Sequence, residues 1–138
     1  MPNPESECIF CKVIAGEIPS EVVDTDDHTL TVMDINPATR GHVVVMTRTH
    51  ADNLLELSDE DLMAAMTTVR HVVHRMRDTL NPDGFNILHN IGEAAWQSIH
   101  HFHIHVIPRY KGDPLQLPWI PGPADPDELK QVAAELRG

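Results

Sequence analysis

Three histidines recur at every second position in His101-Phe102-His103-Ile104-His105-Val106-Ile107. Side chains alternate faces along an extended strand, so this spacing predicts three imidazoles on one face and Phe102, Ile104 and Val106 turned to a core. The β-branched and aromatic spacers, followed by Pro108, disfavour a helix. Imidazoles in this arrangement have three uses. They can bind a metal facially with an open fourth position, supply a nucleophile with its supporting acid or base, or form the polar outer face of an edge strand. The neighbouring residues favour the second use. Gln97 and Ser98 bring amide, hydroxyl and backbone donors to the strand entrance, and Asn90 stands at the end of the preceding strand. Neutral donors of this kind suit an anionic phosphate. An unprotonated imidazole attacks phosphorus near neutral pH, provided its other nitrogen donates to a fixed acceptor.

The elements that must position these groups are legible from periodicity. Residues 8–15 predict a short helical turn closed by Gly16, and 22–24 with 29–33 predict two strands joined by the turn-forming Asp26-Asp27. Residues 36–41 read as a loop and the valine-rich 42–47 as a central strand. Ser58 is a helix N-cap, and Asp59, Glu60 and Asp61 follow where the helix dipole favours acids. Leu62, Met66, Val69, Val73, Met76 and Leu80 then give one apolar stripe, ended by Pro82-Asp83-Gly84. Residues 85–90 predict a strand, 91–96 a loop and 98–108 the histidine strand. A proline-rich, irregular tail spans 112–126, and Asp125-Pro126 starts a final helix running to residue 136. The sum is an α+β fold, a mainly antiparallel sheet with one long helix packed on it.

The chain's 138 residues suit a single domain, residues 1–7 read as a frayed end, and no apolar run approaches the roughly 20 residues that cross a bilayer. The polar, acidic start is unlike a secretory signal, so a cytoplasmic location is expected. A formal charge of −11 argues against nucleic acid or an anionic membrane as partner. Cys8 and Cys11 are too few and too close to staple a fold; in a reducing compartment they read as thiolate ligands, and zinc would need two more. Of the remaining histidines, His71 and His74 read as a solvated or dimer-facing helix surface, His28 and His89 as surface or strand-end residues, His42 as partly buried, and His100 as a packing or dimer contact.

The run from His101 to Ile107 matches the His-φ-His-φ-His-φ-φ signature, φ being apolar, of the histidine triad (HIT) family, and Gln97-Ser98 matches that family's lead-in. Asp34-Ile35 with Gly41-His42-Val43-Val44-Val45 resembles its nucleoside-binding loop and strand. Cys8-Ile9-Phe10-Cys11-Lys12 with Gly16-Glu17-Ile18-Pro19 resembles the opening of its bacterial Hint-like members, which carry an N-terminal Cys-x-x-Cys. One departure is Trp96, where the family usually has glycine.

The resemblance implies a single HIT domain over 1–138, with its core at about 8–110 and a proline-rich tail and C-terminal helix over 111–138. It implies a five-stranded antiparallel sheet with one long helix and a short C-terminal helix, the sheet extended across a homodimer. The implied activity is nucleotidyl hydrolysis or transfer on purine nucleoside 5′-phosphoramidates or related conjugates of AMP or GMP, through a nucleotidyl-histidine intermediate. Diadenosine polyphosphate hydrolysis, or nucleotide binding with incidental activity, are the alternatives. His103 would be the nucleophile, and His105 and Ser98 would serve the phosphate or its leaving group. Asp34 would accept from the ribose, Ile35 would pack on the base, and Asn90 and Gln97 would complete the substrate contacts. As plain structure, Asp34 is a turn-stabilising residue and Asn90 a strand-end cap. Relatives with the Cys-x-x-Cys imply a structural zinc held by Cys8, Cys11, His50 and His101, closed to chemistry.

Overall fold

The structure, a computed structural model, describes residues 7–138. The frayed end expected over 1–7 lies outside the described residues as far as residue 6. The elements run α1 (Ile9–Ile14), β1 (Val22–Thr25), β2 (Thr29–Met33), β3 (Val43–Thr47), α2 (Asp59–Leu80), β4 (Gly84–Leu88), a 3₁₀ turn (Glu93–Ala95), β5 (His103–Arg109) and α3 (Pro126–Arg137). The strands form one antiparallel sheet in the order β1-β2-β3-β5-β4. This is the expected α+β fold, a five-stranded antiparallel sheet with one long helix.

The central strands β3 and β5 carry apolar residues on both faces, as a sheet covered on both sides requires. On one face Val43, Val45, Phe102, Ile104 and Val106 meet Ala65, Val69, Val72 and Met76 of α2. On the other, Val44 and Met46 join Leu30 and Val32 under Phe10, Val13 and Ile14 of α1. Each fully buried valine or phenylalanine here contributes about 1.5–3 kcal/mol relative to exposure. Pairing of Met46 with His103 and of Val44 with His105 places both histidines on the α1 face. The sheet therefore has a packing face toward α2 and a chemical face toward α1.

Two details differ from the periodicity. The histidine strand begins at His103, not at 98, because the Phe102 amide leaves the ladder to donate to the Ala51 carbonyl at 2.7 Å. Phe102 still packs in the α2 core, so the alternation outlasts the ladder by one residue. The buried face of α2 is also rotated from the Leu62–Met66–Val73 stripe. Ala65, Thr68, Val69, Val72 and Met76 are buried, and Met66 is exposed. Ala65 brings the helix close to the sheet, and Thr68 is buried because its hydroxyl meets Thr29 Oγ1 at 2.9 Å and Asp26 Oδ2 at 3.3 Å. Small and hydroxylated residues thus line a face that apolar counting assigned to larger neighbours.

The chain reversals are well determined. Ser58 Oγ accepts from the Asp61 amide at the start of α2, and Asn81 ends the helix at φ 50°, a left-handed position asparagine tolerates. Gly41, at φ +96°, holds a backbone conformation that strains a larger residue, and a β-carbon there would lie 2.5 Å from Leu80 Cδ1 and displace that side chain. After β5, Arg109 grips Asp113 through paired bonds of 2.7 and 2.8 Å and fixes the root of the tail. The tail then runs without helix or strand to α3, none of whose residues is buried. No helix among the described residues is long and apolar enough to cross a membrane.

Candidate active site and metal-ligand cluster

Four metal-ligating side chains from three parts of the chain meet beneath α1. Cys8 is the N-cap, its sulfur accepting from the Cys11 amide at 3.3 Å, so helix geometry sets the second cysteine beside the first. His50, just past β3, and His101, just before β5, complete the group. Cys8 Sγ lies 3.3 Å from His101 Nδ1, Cys11 Sγ 3.3 Å from His50 Nδ1 and 3.5 Å from His101 Nδ1, and the two Nδ1 atoms are 3.2 Å apart. A zinc tetrahedron with Zn–S near 2.3 Å and Zn–N near 2.0–2.1 Å has edges of roughly 3.3–3.8 Å. The residues fit. The tautomer fits as well, because His101 Nε2 donates to the Thr47 carbonyl at 2.6 Å and leaves Nδ1 with a lone pair toward the cluster.

The same arrangement separates the three alternating histidines. His101 is fully buried, its ring turned to the cysteines. His103 Nδ1 donates to the His101 backbone carbonyl at 2.7 Å, so its lone pair is on Nε2. With one ring nitrogen held by a carbonyl and the neighbouring ring drawn to sulfur, the three do not converge on one facial metal site. Phe10 of α1 presses edge-on to the His103 ring, centroids 5.0 Å apart. Burial pushes the His103 imidazole down to about 4, with His105 and His89 adding to the effect and the His101 carbonyl and Asp34 opposing it.

His105 is set the opposite way, by His42, a residue the spacing along one strand did not single out. The Ala38 amide donates to His42 Nδ1 at 3.0 Å, which puts the His42 proton on Nε2. That nitrogen lies 2.9 Å from His105 Nδ1 and 3.4 Å from Asp34 Oδ2. His105 Nδ1 therefore accepts, and its own proton is on Nε2. Although Asp34, His42 and His105 also have metal-ligating atoms close together, both nitrogens of His42 are engaged in this chain of hydrogen bonds. Burial lowers the affinity of His42 and of His105 for a second proton, more than the Asp34 carboxylate raises it. The signal for His42 was its place at the start of β3, facing β5, which becomes informative only with the strand register.

A cleft of about 530 Å³ opens on this face, within the usual range for a small-ligand site. Ile9, Phe10 and Val13 of α1 and Val32 of β2 give it an apolar wall, and Asp34, Ser98, His103 and His105 give it polar groups. Ile35 stands at its edge, 86 % exposed. Asp34 Oδ1 also accepts from the Asn36 amide at 2.8 Å, so this residue shapes its own turn as well. Gln97 is turned inward and buried. Its oxygen accepts from the Gly92 amide and its nitrogen donates to the Asp52 carbonyl, which makes it a brace for the loop that presents Ser98. Asn90 reaches the Trp96 carbonyl at 3.5 Å. His100 pairs with Asp52 at 2.7 Å and fastens the same loop.

A family model described as HIT domain matches residues 15–112. The adenosine 5′-monophosphoramidase of Schizosaccharomyces pombe is 33% identical over 130 residues, which cover 94% of this chain and 95% of that protein. The crystal structure of a HIT family member from Bacillus subtilis superposes with a TM-score of 0.87 at 40% identity, covering 95% of each chain. A Zn-bound histidine triad family protein from Mycobacterium smegmatis superposes with a TM-score of 0.77 at 32% identity, covering 97% of this chain and 98% of that one.

Buried His42 and half-buried His105 set a pH dependence. His42 and His105 have folded pKa values below the unfolded value of about 6.5. As pH falls through that value the unfolded chain takes up protons first, so these groups remove stability on acidification and remove none well above it. Titration of the His42 and His105 ring resonances is expected to give midpoints below 6.5. Midpoints at or above that value would contradict the neutral, hydrogen-bonded pair.

Proposed function

The chain belongs to the HIT domain family, and from that premise we propose that it hydrolyses or transfers the nucleotidyl group of purine nucleoside 5′-phosphoramidates or related AMP or GMP conjugates in the cytoplasm. The observation that carries this reading is the pair of adjacent imidazoles held in opposite tautomers. His103 presents a lone pair on Nε2, and His105 beside it, ring centroids 5.0 Å apart, presents a proton on Nε2. A nucleophile next to a hydrogen-bond donor that can meet the phosphate or its leaving group suits displacement at phosphorus. A relative of this chain is named an adenosine 5′-monophosphoramidase, which supports the phosphoramidate class.

In this reading His103 Nε2 bonds to the α-phosphorus as the bond from phosphorus to the leaving nitrogen breaks. The substrate reacts with its leaving nitrogen protonated, so that nitrogen departs as a neutral amine while positive charge forms on the His103 ring and His105 Nε2 donates a hydrogen bond to the phosphate or its leaving group. Water then attacks the same phosphorus, its proton passes to solvent, its hydroxyl stays on phosphorus, and His103 is freed as a neutral ring with release of the nucleoside monophosphate. Ser98 and Asn90 donate to phosphate oxygens or the leaving group, Asp34 accepts from the ribose, Ile35 packs on the base, and Gln97 holds Ser98 in place. Binding of phosphate to a chain of formal charge −11 then relies on neutral donors and imidazoles. Zinc belongs to the same reading: Cys8, Cys11, His50 and His101 would hold it, and with four protein ligands it would orient His101 and take no part in the chemistry. So does a homodimer, because β4 is an edge strand with Ile87 and Leu88 exposed on it.

Adenosine 5′-phosphoramidate is expected to turn over faster than diadenosine tetraphosphate. His103→Ala should lower kcat roughly 10³-fold or more while AMP still binds in calorimetry. Normal turnover by His103→Ala would remove the nucleophile, faster cleavage of the tetraphosphate would exchange the substrate class, and AMP binding without product from either would leave a binding protein. Elemental analysis of protein purified without chelator should return about one zinc per chain, and Cys8→Ser should lose it; unchanged metal content in that variant sinks the ligand set. Sedimentation is expected to give a dimer, and a monomer at micromolar concentration would withdraw that part.

A further inference from the structure

The short helix α1 carries two functions on its two sides. Cys8 and Cys11 turn toward His50 and His101, whereas Ile9, Phe10 and Val13 form the apolar wall of the cleft. Six residues are too few for a helix to persist on its own propensity. None of its residues is buried, and Ile9 is 45 % exposed. Among the described residues, two attachments hold it. One is the packing of Phe10, Val13 and Ile14 on Leu30, Val32, Val44 and Met46. The other is the cluster of sulfur and imidazole at its N-terminal end. A second link leaves the same cluster, because His101 contributes its ring to the cysteines and its backbone carbonyl to His103 Nδ1.

We propose that zinc in the Cys8–Cys11–His50–His101 cluster tightens nucleoside monophosphate binding, by fixing α1 as the wall of the cleft and His103 at its floor. The two sites are then coupled although they share no ligand atom, and the coupling is reciprocal: nucleotide must tighten zinc by the factor by which zinc tightens nucleotide. Phe10 is the positioning residue, since it lies one place before the ligand Cys11 and touches the His103 ring. This inference rests on the reading of the cleft as a nucleotide site.

The reciprocity provides a test in which the zinc-free chain is present only in equilibrium with the loaded one. Zinc affinity is measured by competition with a chromophoric chelator, with and without saturating AMP, and AMP affinity of the zinc-loaded chain is measured by calorimetry. AMP is expected to tighten zinc about tenfold, equivalent to about 1.4 kcal/mol. Phe10→Ala should keep its zinc and lose most of that coupling, which also controls for the affinity of AMP itself for zinc. Backbone amides of residues 9–14 should exchange faster as zinc is withdrawn and slower again with AMP. If the loaded chain binds AMP yet zinc affinity is the same with and without it, the coupling is refuted and the nucleotide reading stands. If the loaded chain does not bind AMP at all, both are overturned. Coupling that survives in Phe10→Ala would also defeat the proposal, because the wall would not be its carrier.

Discussion

Burial of the His101 imidazole is the constraint on which the chemical face depends. A ring with no solvent exposure must satisfy both nitrogens within the protein, since an unpaired buried polar group costs several kcal/mol at the upper end. Thr47 takes the Nε2 proton, and Nδ1 is committed to the cysteine side. The His101 backbone carbonyl in turn accepts from His103 Nδ1. One residue therefore joins β3, α1 and β5, and it sets the tautomer of the group two positions later. A different side chain at 101 would lose the attachments to Thr47 and to the cysteines, whereas the carbonyl that holds His103 belongs to the backbone.

The electrostatics of the cleft follow from keeping its imidazoles neutral. His42, His103 and His105 are all shifted downward chiefly by burial, so the cleft of this strongly acidic chain does not gather cationic rings. What it offers an anion is hydrogen-bond donors of fixed direction beside an apolar wall. This choice preserves a lone pair at His103. A protonated ring would attract phosphate more strongly and could not attack it. The Asp34 carboxylate works against burial at His105, being 3.7 Å from His105 Nδ1.

Much of this was legible in the residues. The alternation from Phe102 to Val106 predicted which side chains meet α2, and the Ser58 cap with its three acids marked the start of that helix. The Asp26-Asp27 turn signal located the first hairpin, and Asp26 Oδ1 does accept from the His28 and Thr29 amides. What escaped is what depends on partners distant in the chain. Ala65 is a core residue only because β3 and β5 lie against α2, and Thr68 only because Thr29 and Asp26 meet its hydroxyl. Gln97 is inward only because the segment around Asp52 returns to meet it. His42 acts with His105 only because β3 and β5 are neighbours in one register. A linear pattern shows which groups share a face, and it does not show what faces them across a strand boundary.

Trp96 shows how local rules fail next to a site. Its backbone is left-handed at φ 73°, a region that costs a bulky residue free energy and that glycine enters without strain. The conformation is imposed from both sides. Its amide closes the 3₁₀ turn on the Glu93 carbonyl at 3.0 Å, and Gln97, the next residue, is buried with both ends of its amide engaged. The indole is 65 % exposed and so offsets little of the cost by packing within its own chain. The strain is thus a consequence of how firmly Gln97 is anchored: the chain must turn at residue 96 to deliver Ser98 to the cleft, whatever side chain stands there.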